Sequence, residues 1–390
     1  MKIIQLYNNY KSGGGGEKIV VSLTNKILEK HGHQVCDIER DSRTIVTFMD
    51  KISAFVNGIY SWQAKREMVN VIDAEHPDIV HAHNLYPLLS PSVLVACRQR
   101  CIPVVMTVHH FGLTCPAWHH FARGRVCERC LGGREYWCIL KNCREDRFES
   151  VGYALRSTVA RKCRMFSNNV TLFMAVSESL RRQLIKVGFD GDRIILLPNC
   201  VPLPVSSAVP LNGEYIAFVG RLSSEKGIYS LITAGNHTGL PIRIAGNGPI
   251  RGQLEKITTK NITFVGHLEQ HELVEFYCNS RFLVVPSICY EAFGLVLLEA
   301  MSHSKAVIAS RIGGIQEIVD DGITGLLFEA GNVEDLVKKM RLLWANPNLC
   351  EQMGQEGRRK MISEYTEEAY YNRLLRGYEQ AIEMNNHRKV

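Results

Sequence analysis

Short apolar runs alternate with longer amphipathic runs along almost the whole chain. Runs such as KIIQLY, PVVMTVH and RFLVVPS are short and mostly apolar, which indicates strands that are buried on both faces of a parallel sheet. Runs such as ESLRRQLIKVG carry apolar side chains at helical spacing. Because strands that alternate with helices build βαβ units, the pattern predicts an α/β protein made of doubly wound, Rossmann-like parallel sheets.

A proline-rich stretch divides this alternation into two halves. The run CVPLPVSSAVPLNGE, residues 200–214, holds three prolines and has no periodicity, so it is typical of a linker. A chain of 390 residues also exceeds what one core ordinarily holds. We therefore predict an N-terminal domain over residues 1–205, a C-terminal domain over residues 206–365 and a final helix over residues 366–390. Ligands of such folds bind at the carboxyl ends of strands, so the predicted site is the cleft between the two domains.

The apolar runs are too short to cross a bilayer. None approaches the roughly 20 residues that a membrane-spanning helix needs. The first residues, MKIIQLYNNY, also lack the shape of a signal peptide. We expect a cytoplasmic protein with reduced cysteines.

The positive charge is concentrated in one segment. Residues 98–164 hold 13 Lys and Arg against 5 Asp and Glu, an excess of +8, while the whole chain has a net charge of +7. Such a segment attracts anionic lipids, phosphorylated acceptors or nucleic acid. A solvated basic face without a partner is the alternative. The segment lacks aromatic residues at a recognisable repeat, so no nucleic acid is expected as a partner.

Two acidic residues in an otherwise apolar run are the strongest signal of a binding site. In PSICYEAFGLVLLEAM, Glu291 follows a strand and Glu299 lies about two turns along the next helix. Gly294 allows a close approach of a ligand, and the N–H groups of residues 293–295 form a helix N-terminus that suits phosphate. The spacing fits a nucleotide sugar, with the sugar at Glu291 and the ribose at Glu299. A helix cap and an exposed acid are the alternative.

Two cations follow another strand. In FVGRLSSEKGI, Arg221 comes directly after the strand and Lys226 is predicted to open a helix. Two cations at the carboxyl edge of a sheet stabilise a diphosphate leaving group. Two surface cations at a turn would give the same pattern.

The N-terminal half offers a glycine loop and several histidines. SGGGGEK follows the first strand, and consecutive glycines approach phosphate or sugar closely. His109 ends a buried strand, where an imidazole binds a sugar hydroxyl or assists deprotonation of an acceptor. His81 and His83, in IVHAHN, are also candidates. For the histidines, a structural role is the alternative.

Taken together, these runs resemble glycosyltransferase family 4, retaining enzymes of the GT-B fold, and within it bacterial capsule and exopolysaccharide glycosyltransferases. The resemblance spans essentially the whole chain. It rests on GGGGE, TVH, VGRLSSEKG, PSICYEAFGLVLLEAM, GGIQEIVDDGITGLL and the spacing of Glu291 and Glu299. It implies two Rossmann-like domains that face each other across a cleft, with a C-terminal helix near residues 367–385 that crosses back to the first domain.

The resemblance also implies roles for the matched residues. The catalytic residues would be His109, Arg221, Lys226 and Glu291. The donor, a UDP- or GDP-sugar, would be bound by Gly14, Gly15, Gly16, Arg221, Lys226, Glu291, Phe293, Gly294, Leu295 and Glu299. No cofactor is expected for transfer, because Arg221 and Lys226 would supply the positive charge that a metal supplies elsewhere.

A cysteine-rich part of the basic segment, residues 115–143, departs from the general family pattern. The pair Cys127-x2-Cys130 has metal-ligand spacing and is flanked by three further cysteines. A structural zinc held by Cys115, Cys127, Cys130 and Cys143 is one hypothesis, although the sequence does not choose between Cys138 and Cys143. His119 and His120 are further candidate ligands. Reduced thiols without a metal are the alternative.

These observations favour an enzyme that transfers a sugar from a nucleotide diphosphate to a glycan. The acceptor would be a lipid-linked glycan in bacterial surface polysaccharide synthesis, with peripheral contact to the inner face of the membrane. Two rival functions stay open: a nucleotide-sugar epimerase or hydrolase of the same fold, and a cysteine-rich nucleic-acid-binding protein.

Overall fold

The computed structural model describes residues 1–9, 16–204 and 213–387. The strands are β1 (Lys2–Asn9), β2 (Gln34–Asp41), β3 (Ile79–Ala82), β4 (Val104–Val108), β5 (Phe121–Ala122), β6 (Arg125–Val126), β7 (Leu172–Ala175), β8 (Ile194–Leu196), β9 (Tyr215–Val219), β10 (Ile242–Ala245), β11 (Ile262–Gly266), β12 (Ser280–Val285), β13 (Ala306–Ser310) and β14 (Gly325–Phe328). The helices are α1 (Gly16–Lys30), α2 (Phe48–Ile59), α3 (Trp62–Glu75), α4 (Ser92–Gln99), α5 (Tyr136–Leu140), α6 (Arg147–Lys162), α7 (Glu178–Lys186), α8 (Ile228–Thr238), α9 (Arg251–Glu255), α10 (Gln270–Asn279), α11 (Leu295–Ser302), α12 (Ile315–Ile318), α13 (Val333–Ala345), α14 (Pro347–Glu364) and α15 (Glu367–His387).

These elements form two compact domains. The N-domain comprises residues 1–119, 128–198 and 370–390, and the C-domain comprises residues 120–127 and 199–369. The sequence analysis predicted boundaries after residues 205 and 365, whereas the domains divide after Pro198 and after Ala369. The C-terminal helix α15 thus belongs to the N-domain from Tyr370 onward, and a short piece of the cysteine-rich segment belongs to the C-domain.

The C-domain contains a six-stranded parallel sheet in the order β11-β10-β9-β12-β13-β14. The strand order reverses between β9 and β12, and ligands of such sheets bind outside the carboxyl ends of the strands at this switch point. Strands β13 and β14 are buried along their whole length, as expected for a sheet that is covered by helices on both faces. Arg221 and Lys226 follow β9, and Glu291 follows β12, so the topology alone brings these residues to the switch point.

The N-domain contains a second parallel sheet in the order β2-β1-β3-β4-β7-β8. Its switch point lies between β1 and β3. His83 follows β3 and His109 follows β4, so these two residues lie at the same edge of one sheet. The prediction of two doubly wound, Rossmann-like domains is confirmed.

One predicted element is wrong in detail. Lys226 does not open a helix: it ends a 3-10 turn over Ser224–Lys226, and α8 begins only at Ile228. The residue between them, Gly227, has a φ of +67°, in the left-handed region that breaks a helix. Lys226 therefore belongs to a sharp turn.

In the described ranges, no helix combines the length and the apolar composition that crossing a bilayer requires.

Candidate active site

An ion pair lies at the switch point of the C-domain sheet. Lys226 Nζ donates to Glu291 Oε1 at 2.5 Å, and Ser287 Oγ donates to the same oxygen at 2.6 Å. The side chain of Glu291 is 17% exposed and that of Lys226 is 32% exposed. The structure thus brings together two residues that are 65 positions apart in the sequence and that the sequence analysis assigned to one site.

The two charges keep each other ionised. Burial by itself raises the pKa of Glu291, but the charge and hydrogen bond of Lys226, together with the Ser287 hydroxyl, outweigh burial and hold that pKa below its usual value. Burial likewise lowers the pKa of Lys226, yet Glu291 raises it above the usual range. The site therefore presents a permanent cation beside a permanent carboxylate at neutral pH.

The turn that presents Lys226 is fixed by close backbone packing. A Cβ on Gly227 would lie 1.7 Å from the carbonyl oxygen of Pro286, which follows β12. The Ile288 N–H donates to the Glu225 carbonyl at 2.9 Å, and the Lys226 N–H donates to the Ser223 carbonyl at 3.1 Å. The loop after β9 is thereby joined to the loop after β12, and this connection holds Lys226 opposite Glu291.

The backbone of Glu291 is held by a second loop. The Gly314 N–H donates to the Glu291 carbonyl at 2.7 Å, and a Cβ on Gly313 would lie 2.6 Å from that same oxygen. The loop after β13, which contains the GG of GGIQEIVDD, therefore fixes the position of the Glu291 backbone. The sequence analysis included this run in the resemblance but assigned no role to Gly313 or Gly314.

Helix α11 begins beside Glu291. Gly294 is its N-terminal cap, with a φ of +128°, and Leu295 is its first residue. The first N–H groups of a helix have no acceptor within the helix, and they carry its partial positive charge. The amides of residues 293–295 are thus suited to contact an anionic group beside Glu291 and Lys226. Arg221, on the loop after β9, is exposed.

Glu299 lies farther along α11 and has a partner that the sequence analysis missed. The hydroxyl of Tyr277, on α10, donates to Glu299 Oε2 at 2.7 Å. Burial raises the pKa of Glu299, and the bond from Tyr277 offsets part of that effect. Tyr277 also stacks on His303, with ring centroids 5.9 Å apart. A tyrosine in the run HELVEFYCNS carries no motif that would have identified it.

If Glu299 binds the ribose, removal of its partner will weaken nucleotide binding. Tyr277→Phe is expected to weaken nucleotide affinity about fivefold, close to the ~1 kcal/mol net worth of one hydrogen bond. The matched control is Tyr215→Phe, because the Tyr215 hydroxyl bonds to the Phe276 carbonyl at 2.8 Å. Calorimetric titration with nucleotide checks this prediction, and equal affinities for the two variants would contradict it.

A histidine pair lies at the edge of the N-domain sheet. His109 Nε2 and His83 Nδ1 are 2.8 Å apart, and His83 Nε2 is hydrogen-bonded to Gln5 Oε1. Because the Gln5 oxygen only accepts, His83 carries its proton on Nε2 and accepts from His109 Nε2 through Nδ1. His109 Nδ1 then carries a lone pair. Burial, with smaller contributions from neighbouring imidazoles, holds the pKa of both histidines well below the usual value, so both are neutral.

His81 has a structural role. Its Nδ1 is 2.8 Å from the Tyr378 hydroxyl of α15, and its Nε2 is 2.7 Å from Thr107 Oγ1. Burial and, to a smaller extent, His109 lower the pKa of His81 to about 3. His81 therefore joins the C-terminal helix to the sheet and is buried without charge.

These depressed pKa values predict a loss of stability in mild acid. Below about pH 6.5 the unfolded chain binds protons that the folded N-domain excludes, so the free energy of unfolding falls as the pH is lowered, by about 1.4 kcal/mol per pH unit for each such histidine. Above that pH, the contribution of these histidines is constant. His81→Gln should reduce the slope by one histidine's share, while exposed His76→Asn should leave it unchanged. Urea unfolding at pH 7.5, 6.5 and 5.5 measures the slopes, and equal slopes in all three proteins would contradict the prediction.

A buried carboxyl group near these histidines was also missed. Glu17 lines the same small cavity as His83 and His109, and burial raises its pKa to about 8. Among the residues that the structure describes, none hydrogen-bonds to Glu17 Oε1. Of the predicted glycines, Gly16 begins α1, whereas Gly14 and Gly15 lie outside the described residues.

The cysteine-rich segment divides between the domains. Cys115, Cys130, Cys138 and Cys143 pack together in the N-domain, whereas Cys127 belongs to the C-domain. His120 also belongs to the C-domain, where its ring lies edge-on to Tyr290 with centroids 5.8 Å apart. The structure therefore groups Cys138, in place of Cys127, with the other three predicted cysteines. Among the described residues, no group of three or more His, Cys, Asp or Glu side chains is placed so that it could hold a metal ion.

Family comparisons agree with the geometry of both domains. Residues 13–204 match Glycosyltransferase Family 4, and residues 203–360 match Glycosyl transferases group 1. Together the two matches span almost the whole chain.

Individual proteins give the same result. An uncharacterized glycosyltransferase of Methanocaldococcus jannaschii is 27% identical over 74% of this chain and 72% of its own length. The sucrose-phosphate synthase of Thermosynechococcus elongatus superposes with a TM-score of 0.74 at 20% identity and covers 97% of this chain and 98% of its own. Anabaena HepE, crystallised with UDP and glucose, superposes with a TM-score of 0.65 at 15% identity, over 96% of this chain and 98% of its own. The last two likenesses show the fold.

A parallel sheet in each domain, a paired lysine and glutamate at the switch point of one of them, and two family matches that meet at the linker lead to one conclusion: the chain belongs to glycosyltransferase family 4 and is a sugar-transferring enzyme of the GT-B fold.

Proposed function

We propose that this enzyme transfers a sugar, with retention of anomeric configuration, from a nucleotide diphosphate sugar to a glycan acceptor. The observation that carries the proposal is the ion pair of Lys226 and Glu291 at the switch point of the C-domain sheet. A cation and a carboxylate that are paired at one half-buried site suit a ligand with an anionic leaving group next to a hydroxyl-rich ring. The UDP that is bound to HepE, a protein of the same fold, supports a nucleotide donor.

In this proposal Lys226 and Arg221 stabilise the departing diphosphate. Negative charge grows on the diphosphate oxygens as the glycosidic bond breaks, and fixed cations stabilise that charge most in the transition state. The amides at the start of α11 contribute hydrogen bonds to the same group. Glu291 accepts from hydroxyl groups of the transferred sugar, and Glu299 accepts from those of the ribose. These cations supply the positive charge, so transfer is proposed to need no metal, and omission of Mg²⁺ should leave the rate unchanged.

The N-domain presents a neutral histidine that suits a sugar hydroxyl. His109 Nδ1 carries a lone pair because Gln5 and His83 fix its tautomer. It therefore accepts a hydrogen bond from a sugar hydroxyl. His109 acts as a positioning group in this proposal, since an imidazole with a strongly depressed pKa is a weak base.

A donor screen tests the proposed function. Thermal unfolding is measured with a panel of UDP-, GDP- and ADP-sugars, and one donor is expected to raise the unfolding temperature. The same donor is then incubated with and without glycan acceptors, and NMR of the product reports the anomeric configuration. Transfer to an acceptor with retention supports the proposal. Epimerised or hydrolysed donor, formed equally well without acceptor, would contradict it in favour of the rival enzyme class.

We further propose that the acceptor is lipid-linked, as in bacterial surface polysaccharide synthesis, and that the N-domain contacts an anionic membrane surface. An exposed apolar face supports this. Helix α2 packs on α6, where the rings of Phe55 and Phe148 have centroids 5.5 Å apart. Helix α5 also packs on α6. The large exposed apolar side chains on these three helices, or directly before α2, include Val46, Phe48, Met49, Val56, Tyr136, Ile139, Leu140, Phe148, Val151 and Leu155.

Basic residues on the same elements favour a membrane as the occupant. Lys51 on α2 and Arg147 at the start of α6 are exposed, and Lys141 after α5 is partly exposed. Apolar side chains surrounded by lysine and arginine are typical of surfaces that insert shallowly into anionic bilayers.

Vesicle sedimentation tests the membrane face. The full chain is expected to bind phosphatidylglycerol vesicles and not phosphatidylcholine vesicles. Phe48→Glu should lower binding at least fivefold, because Phe48 is 68% exposed and its replacement leaves the core intact. Ile362→Glu is the matched control, since it places the same charge at an exposed apolar position on α14 of the C-domain. Binding that ignores lipid charge, or equal losses in both variants, would contradict the proposal.

A further inference from the structure

Four cysteine side chains pack against one another in the N-domain. Cys115 and Cys138 are buried together with Ala117 and Ala154, and Cys130 and Cys143 pack against this group. These four cysteines are called the cysteine cluster. Cys138 is fully buried and Cys115 nearly so. Four sulfur ligands with no acidic residue among them form a donor set that thiophilic cations prefer.

The backbone holds the four positions in tight turns. The Cys115 N–H donates to the Phe111 carbonyl at 2.7 Å, and the Cys143 N–H donates to the Cys138 carbonyl at 3.0 Å. Gly132, Gly133 and Asn142, which lie between these cysteines, all have positive φ values. The cluster therefore rests on three short turns and on the five-residue helix α5.

This part of the chain has little regular structure. Between β4 and α6 the regular structure comprises a 3-10 turn, a hairpin of two-residue strands and α5. The apolar cluster here consists of the four cysteines and two alanines. Segments with such small cores are commonly stabilised by a structural metal or by disulfides.

We propose that Cys115, Cys130, Cys138 and Cys143 bind one structural Zn²⁺. The cysteine side chains pack together, but among the described residues no three are placed so that they could hold a metal ion. Binding therefore requires the cysteine side chains to rotate toward a common point. Each thiol loses its proton to solvent as its sulfur bonds the metal, so one Zn²⁺ and four thiolates give a doubly negative complex. The site would fasten the loop after β4 to α5 and to the turn that leads into α6.

The basic character of the segment fits such a complex. The surrounding residues, 98–164, carry an excess of eight positive charges. Arg144 lies in the turn directly after Cys143, and Arg134 donates from its backbone N–H to the Cys130 carbonyl at 3.2 Å. Cationic side chains near a doubly negative centre lower the free energy of the deprotonated, metal-bound state.

Metal analysis of the full-length protein tests the proposal. The protein is produced in zinc-supplemented medium and purified without chelator, and its metal content is measured by mass spectrometry. We expect one zinc per chain in the wild type and at least a tenfold lower content in Cys138→Ser. Cys127→Ser is the matched control, because Cys127 has the sequence spacing of a ligand but belongs to the other domain. It is expected to keep one zinc per chain.

Cobalt substitution keeps the test decisive if Cys138→Ser fails to fold. Wild-type protein freed of metal is titrated with Co²⁺, and a tetrahedral thiolate spectrum that saturates at one equivalent supports the site. Wild-type protein that holds no zinc and gives no such spectrum would overturn the proposal, as would disulfides among these four cysteines in the purified protein. Equal loss of zinc in Cys127→Ser and Cys138→Ser would overturn the choice of ligands.

Discussion

Replacement of Lys226 with alanine is expected to lower kcat/KM for sugar transfer about a thousandfold, or ~4 kcal/mol of transition-state stabilisation. Lys226 is the cation nearest to Glu291, at 2.5 Å, and it would face the charge that develops on the leaving diphosphate. Its loss also leaves the partly buried Glu291 carboxylate without its partner. Steady-state kinetics with the donor identified by the screen measure the effect.

The matched control is Lys260→Ala, which removes one exposed lysine from the same domain. It should retain wild-type kinetics and unfold at the wild-type temperature. Circular dichroism establishes that Lys226→Ala is folded before its rate is interpreted. A folded Lys226→Ala enzyme within tenfold of wild-type kcat/KM would show that the lysine does not stabilise the leaving group.

Replacement of Gly227 with alanine is expected to destabilise the C-domain and to abolish transfer. The new Cβ would meet the Pro286 carbonyl oxygen at 1.7 Å, so the turn must move. Left-handed backbone costs an alanine about 1–2 kcal/mol, and an overpacked contact adds about 1–3 kcal/mol, so we expect a loss of about 3 kcal/mol or more. The displaced turn also moves Lys226 away from Glu291, so transfer should fall at least a hundredfold even where the variant stays folded.

Gly239→Ala separates the clash from the backbone strain. Gly239 has a φ of +66°, nearly that of Gly227, but a Cβ there would meet nothing within 4 Å. Gly239→Ala should therefore add only the backbone strain, which lowers the free energy of unfolding by about 1–2 kcal/mol, and the variant should keep its activity. Urea unfolding and kinetics of both variants decide the matter. If the two glycine variants were equally stable and equally active, the close packing of the two loops would not position Lys226.

Most of the fold follows from periodicity. Runs such as PVVMTVH and RFLVVPS are apolar because their strands are buried between layers of helices, and β4 and most of β12 are indeed buried. Residues that end such strands gather at one edge of a parallel sheet, which is why Lys226 and Glu291 could be assigned to one site. What escaped prediction was the path of the turn at Gly227, because a left-handed glycine and a helix start have the same local composition.

The parts that the sequence did not reveal depend on contacts between distant segments. Tyr277 reaches Glu299 from another helix, and Gly314 holds Glu291 from a loop that follows the next strand. The cysteine cluster is a similar case. Sequence spacing favoured Cys127 as a ligand. In the structure, however, Cys127 and the hairpin just before it belong to the C-domain, and Cys138, on α5, packs with Cys115, Cys130 and Cys143. Spacing along the chain cannot distinguish these arrangements.

A crystal structure of the full-length protein with its nucleotide sugar tests the central claim most directly. The account predicts diphosphate oxygens within hydrogen-bonding distance of Lys226 and Arg221, a ribose on Glu299 and the sugar ring on Glu291. A nucleotide bound at the switch point of the N-domain sheet, or one whose diphosphate does not contact Lys226, would contradict it.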